Sequence, residues 1–321
     1  MAITASHPLR PPSRQTGLMD RSSILVLDGG LSNALEERGH DLAGPLWTAR
    51  LLREAPGEIA AVHRSYFVAG ARVATTASYQ ASVEAFRRAG LSDADAEKLI
   101  QRSVLIAREV RDDLAGDGIE RYVAASVGPY GAALADGSEY RGRYGVTAAR
   151  LRDFHRPRLE LLASAGPDLI AVETIPDVDE AEVLVRLLDE IGLRSWFSFS
   201  AHQLGTRAGQ SLEEAFRVAA SAQSVIAVGV NCCTPDDVLP AVRLSVETTG
   251  LPAVAYPNSG EAWDANRRVW SGSDRFDPAL AVPWIDAGAR YIGGCCRVGP
   301  DDIAALASVV SYQSALRTDS S

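Results

Sequence analysis

Eight times along the chain a short β-branched run gives way to a longer helical pattern, and this alternation restricts the fold more than any other feature. The runs cover residues 24–28, 73–76, 122–126, 169–173, 196–200, 225–230, 252–256 and 291–293. Between them, Ser92 is placed to cap a helix whose Leu99, Ile100, Val104, Ala107, Val110 and Leu114 share one face, with Gly116 just past its end. Thr234-Pro235-Asp236-Asp237 and Asp277-Pro278 read as further helix starts, a capping side chain followed by proline at the first helical position. Pro157 and Pro283 fall inside helical patterns and are expected to kink or delimit them. Ala69-Gly70-Ala71-Arg72 and Ala287-Gly288-Ala289-Arg290 repeat one signature of helix end, turn and strand.

Eight such βα units in 321 residues fit an α/β (β/α)8 TIM barrel better than an open doubly wound sheet. The open sheet would usually carry a glycine-rich phosphate turn after its first strand, and Asp28-Gly29-Gly30 is not that turn. The expected organisation is one barrel domain over residues 23–313. A disordered extension over 1–22, with Met19 as a second candidate start, precedes it, and a flexible tail over 314–321 follows.

A composition of 46% hydrophobic and 23% charged residues is that of a soluble globular protein. No apolar run approaches the roughly 18 residues of a membrane span, and residues 1–22 lack the apolar stretch of a signal peptide. A formal charge of -9 without a basic, aromatic-interleaved cluster argues against nucleic acid as a partner. Small molecules are the partners expected, and the absence of a heptad pattern leaves the oligomeric state open. With no secretory signal and no cysteines scattered through loops, the thiols are expected to be reduced and the compartment cytoplasmic.

A barrel gathers the C-terminal ends of all its strands on one face, and there stand Asp28, Glu173, Cys232, Cys295 and Cys296. The four cysteines fall as two adjacent pairs, Cys232-Cys233 and Cys295-Cys296, which points to one soft-metal site. The residues alone leave three readings. One is a catalytic zinc with three protein ligands and an exchangeable position; another is a closed four-thiolate zinc in a non-catalytic binding module. The third, a thiol redox enzyme, lacks the usual Cys-x-x-Cys spacing.

Gly-Val-Asn-Cys at Cys232 and Gly-Gly-Cys-Cys at Cys296 accompany Leu27-Asp28-Gly29-Gly30, Thr75-Thr76-Ala77-Ser78-Tyr79-Gln80-Ala81-Ser82, Ser126-Val127-Gly128-Pro129-Tyr130-Gly131, Ala135-Asp136-Gly137-Ser138-Glu139-Tyr140, Glu173-Thr174-Ile175-Pro176 and Tyr256-Pro257-Asn258-Ser259-Gly260-Glu261. In this set, spread over nearly the whole chain, the sequence resembles the zinc-dependent homocysteine S-methyltransferases. Its length resembles the branch that uses S-methylmethionine or S-adenosylmethionine, because the longer C-terminal segment of the betaine-dependent enzymes has no counterpart here. The resemblance implies Zn2+ held by Cys232, Cys295 and Cys296, which are then also the catalytic residues. Cys233 is left to pack as a small hydrophobe. Gly293 and Gly294 are expected to let the backbone turn sharply enough for consecutive cysteines to reach one ion.

The implied reaction forms methionine by in-line attack of the homocysteine thiolate on the methyl group of a sulfonium. A free thiol with a pKa of about 8.5 is only a few per cent thiolate at neutral pH, which explains the need for a metal. Glu173 and Asp28 are expected at the acceptor's ammonium group, although Asp28 before two glycines also suits a turn. Thr75 and Thr76 are expected near its carboxylate. Trp47 and Tyr79 are expected near the sulfonium, whose cation suits an aromatic face. The segment 258–275, with Trp263 and Trp270, is a candidate lid. The sequence departs from the family pattern at Arg297-Val298 and in the 201–210 loop, both of which bear on the choice of donor. A selenol acceptor such as selenohomocysteine is compatible with the same metal site.

Overall fold

In a computed structural model, which describes residues 23–42, 46, 48–264 and 269–318, each of the eight runs forms a parallel strand. These are β1 (Leu25–Val26), β2 (Val73–Thr75), β3 (Tyr122–Val127), β4 (Leu169–Ile175), β5 (Ser195–Phe199), β6 (Val225–Asn231), β7 (Ala253–Tyr256) and β8 (Ala289–Ile292). The sheet runs β1-β8-β7-β6-β5-β4-β3-β2. Its two ends meet through a parallel bridge between Leu27 and Val73, flanked by Arg72 N–H to the Val26 carbonyl at 2.7 Å and Asp28 N–H to the Val73 carbonyl at 3.1 Å. The barrel is therefore nearly closed, with a thin seam between β1 and β2.

The principal helices that follow the strands are α1 (Pro56–Val68), α2 (Asp93–Asp113), α3 (Ala148–Ser164), α4 (Val178–Ile191), α5 (Leu212–Ala219), α6 (Pro235–Thr249), α7 (Ala281–Asp286) and α8 (Pro300–Thr318). Ser92 caps α2 by accepting the Asp95 N–H at 3.2 Å. The left-handed residue that ends this region is Gly118, not Gly116, because a 3-10 turn over Ala115–Asp117 intervenes. Thr234 stands at the N-cap of α6 but gives its hydroxyl to the Asp237 carboxylate at 2.9 Å instead of capping a backbone N–H. Asp277 caps a 3-10 turn, Pro278–Leu280, rather than an α-helix. Pro157 does not interrupt α3, since the hydrogen bond it removes belongs to Asp153 on the exposed side, where water can serve that carbonyl. Pro283 falls in the first turn of α7, where N–H groups lack helical partners anyway.

The strand pleat sorts side chains into two cores. Leu25, Leu27, Tyr122, Ala124, Leu169, Ala171, Trp196, Ala227, Val254 and Tyr291 fill the barrel, while their sequence neighbours Val26, Val123, Ile170, Phe197 and Val228 pack beneath the helices. α8 runs to Thr318, into the segment expected as a flexible tail. Buried Val310 and an Arg317–Asp286 ion pair at 2.6 Å anchor that last stretch to α7. The candidate lid contains an antiparallel hairpin of Ala262–Asp264 and Val269–Ser271. The extension over 1–22 lies outside the described residues, as does Trp47. Among the described residues no helix is long and apolar enough to cross a membrane.

Candidate active site

Continuing the inward alternation to the C-terminal end of each strand brings Thr75, Ser126, Glu173, Ser198, Asn231 and Tyr256 to one level, so the apolar barrel interior ends in a polar layer. Ser126 donates its hydroxyl to the Glu173 carboxylate. Ser198 bridges the Asn231 side-chain carbonyl at 2.8 Å and the Tyr256 hydroxyl at 2.7 Å, and Trp196 donates its indole N–H to Tyr256 at 3.1 Å from the layer below. Burial pushes the Glu173 carboxyl up to about 7, against hydrogen bonds from Ser126 and Tyr256 that pull it down. Asp28, at the end of β1, is likewise pushed up to about 8 by burial, despite accepting the Thr75 N–H at 2.7 Å and the Thr75 hydroxyl at 2.8 Å.

Both carboxyls line one cavity together with the cysteines. The Cys232 sulfur lies 3.9 Å from that of Cys296, which lies 4.0 Å from that of Cys295, and all three fall within 4.8 Å of one another. Cys232 is carried beyond β6 in a left-handed conformation, φ 51°, with its N–H bonded to the Tyr256 carbonyl. The Cys295 N–H reaches the Pro257 carbonyl at 2.7 Å, and the Cys296 N–H reaches the Asn258 side chain at 3.1 Å. The loop after β7 thus aligns the loops after β6 and β8. S–H donation from Cys295 and Cys296 holds the Cys232 thiol well below its usual range. Cys233 is buried in the core outside the barrel, where burial pushes its thiol up. Three of the four thiols thus lie close enough together to hold one metal ion.

Neither Gly293 nor Gly294, expected to let the backbone turn, is left-handed; in this stretch that conformation belongs to Arg297, φ 63°, just past the two cysteines. The two glycines supply space instead. A Cβ on Gly293 would come within 2.6 Å of the Leu27 Cβ, and one on Gly294 within 2.1 Å of a Val298 methyl.

Thr75 and Thr76 line the cavity, but the donors expected to meet a substrate carboxylate are committed to the protein. Thr75 gives both of its donors to Asp28. Thr76 gives its N–H to the Ala124 carbonyl at 3.0 Å, while its hydroxyl pairs with Ser78 at 2.7 Å and accepts the Ser126 N–H. Tyr79 lines the cavity and Trp47 lies outside the described residues.

Other residues complete the site. Asn231 is fully buried and accepts the Thr174 N–H at 2.7 Å while donating to the Thr174 hydroxyl at 2.7 Å, which fixes Thr174 at φ 60° directly after Glu173. Tyr140 brings its hydroxyl to 3.6 Å from the Cys232 sulfur. Its segment is held from behind by Glu180, which accepts the Tyr130 N–H at 2.6 Å and the Tyr144 hydroxyl at 3.1 Å and faces His155 at 2.7 Å. Neighbouring Glu139 is buried, its carboxyl pushed up by burial to about 6. The available sequence signal for Asn231 was its place immediately before a cysteine, and for Tyr140 its place in the Ala135–Tyr140 motif.

Comparison with known proteins agrees with this fold. The sequence profile described as Homocysteine S-methyltransferase matches residues 25–310. The homocysteine S-methyltransferase of Escherichia coli (strain K12) is 43% identical over 312 residues, spanning 95% of this chain and 99% of the relative. The Bacillus subtilis (strain 168) homocysteine S-methyltransferase YbgG is 41% identical over 301 residues, spanning 91% and 96%. The crystal structure of the metallated form of the E. coli homocysteine methyltransferase MmuM superimposes with a TM-score of 0.84 at 41% identity, covering 92% of this chain and all of that one.

Proposed function

The chain belongs to the homocysteine S-methyltransferase family and methylates homocysteine; on that premise we propose that the donor is a sulfonium, S-methylmethionine or S-adenosylmethionine, and the metal is zinc on Cys232, Cys295 and Cys296. One observation carries this reading: three cysteine sulfurs within 4.8 Å of one another share a cavity with two buried carboxyls. Thiolates select soft ions, and ligands about 2.3 Å from a tetrahedral zinc stand roughly 3.8 Å apart, close to the 3.9 and 4.0 Å between these sulfurs. When bound, the zinc would keep the acceptor sulfur deprotonated, with three thiolate ligands leaving it electron-rich enough to react.

Glu173 and Asp28 receive the acceptor's ammonium group, whose positive charge offsets the burial that otherwise favours their neutral forms. Thr75 orients Asp28 through two hydrogen bonds. Tyr79 offers an aromatic face to the sulfonium. The bond formed joins the methyl carbon to the acceptor sulfur, the bond broken releases the donor as a neutral thioether, and the acceptor's thiol proton goes to solvent. Opposite charges cancel in this step, and a water-poor cavity favours that cancellation. The barrel over residues 23–313 carries both substrates as one domain, and a cytosolic setting suits thiols that must stay reduced.

The test supplies homocysteine with S-methylmethionine, S-adenosylmethionine or betaine in parallel and measures methionine, together with bound metal in Cys232→Ser and Cys233→Ser. Turnover with a sulfonium, loss of zinc in C232S and its retention in C233S are expected. Methionine formation from betaine alone, or zinc lost equally from both variants, overturns the reading.

A further inference from the structure

Arg158 is only 1% exposed, does not line the cavity and has no part in the chemistry derived so far. It lies on the buried stripe of α3 with Leu151, Phe154, Leu159 and Leu162. Its Nη1 donates to the Gly128 carbonyl at 2.9 Å, and its Nη2 donates to the Ser78 carbonyl at 2.8 Å and to the Tyr79 carbonyl. Taking an ion out of water costs several kcal/mol, so filling space beneath the barrel gives no reason for a guanidinium here. Three carbonyls from two different loops do, because only a planar fork reaches them together.

Those loops follow β2 and β3 on the catalytic face. Tyr79 also fits against Gly128, where a Cβ would come within 2.5 Å of the ring and 2.7 Å of the Tyr79 carbonyl. The ring is thus confined by the bare glycine on one side and by the arginine's grip on the backbone beneath it. Tyr79 in turn shares the cavity wall with Tyr140 and Cys232.

We propose that Arg158 is a positioning residue for methyl transfer, its guanidinium clamping Ser78, Tyr79 and Gly128 so that the Tyr79 ring is held on the donor side of the cavity. The proposal rests on the reading that Tyr79 faces the sulfonium. The experiment measures kcat and the KM of each substrate separately, with metal content, in full-length metal-loaded R158Q, G128A, Y79A and R158Q/Y79A. R158Q and G128A are each expected to raise the donor KM about tenfold or more and to leave the homocysteine KM within about twofold. In the Y79A background R158Q should add little, since both changes act through one ring. Equal rises in both KM values, or a full additional effect of R158Q on Y79A, overturn the clamp. A donor KM unchanged in Y79A, R158Q and G128A alike instead overturns the placement of Tyr79, and the clamp with it. Should R158Q not fold, G128A decides alone, and an unchanged donor KM there overturns the proposal.

Discussion

Burial leaves Glu173 close to its midpoint at neutral pH, with its carboxyl pushed up to about 7. An acid whose pKa in the fold exceeds its unfolded value takes up protons on folding, so its contribution to stability declines as pH rises from about 4.3 through 7. Glu173→Gln keeps a neutral side chain of the same shape throughout that range. The variant is expected to have a higher Tm than the parent above pH 7 and to lack this part of the parent's pH dependence, as thermal unfolding over a pH series would reveal. Function should move the other way. On the proposed placement of Glu173 at the ammonium group, removing its carboxylate should raise the homocysteine KM about 10- to 100-fold, the equivalent of one charge-assisted hydrogen bond. The fall in parent kcat/KM below about pH 7 should also be missing from the variant.

Among the elements, the ends of β4, β5 and β6 act as one unit because Asn231 ties them together. It bonds Thr174 twice and Ser198 once while standing next to Cys232, so a single amide sets the path of both the Glu173 and the Cys232 backbone. Asn231→Ala is expected to cost about 2 to 4 kcal/mol in denaturant unfolding, through three lost hydrogen bonds and the buried donors left behind. It should also weaken metal retention, measured by competition with a chelator, although the side-chain hydrogen bonds of Asn231 go to Thr174 and Ser198. The strands and the cysteine pairs are readable in the sequence because each is a local signal: a β-branched run, or two thiols at a strand end. Asn231 and Arg158 are harder to find, since their partners are chosen by barrel closure. Arg158 still leaves a trace. It occupies a core position of an otherwise amphipathic stripe in α3, where Arg150, Arg152 and Arg156 lie off that stripe.

For the whole molecule, the alternation of βα units is enough to specify a barrel, and the barrel is enough to bring together residues as far apart as Asp28 and Cys296. What the alternation does not encode is how strongly each strand pair is joined. β4 and β5 run side by side over several residues, whereas β1 meets β2 through one bridge and its two flanking hydrogen bonds. Asp28 and Thr75 face each other directly above that join. The weakest rung of the wall therefore also lines the cavity proposed to take the amino acid, and an occupant there would act as a rivet. Amide deuterium uptake at Arg72, Asp28 and Thr75 should outpace that along β4 in the free protein and slow selectively once homocysteine is bound.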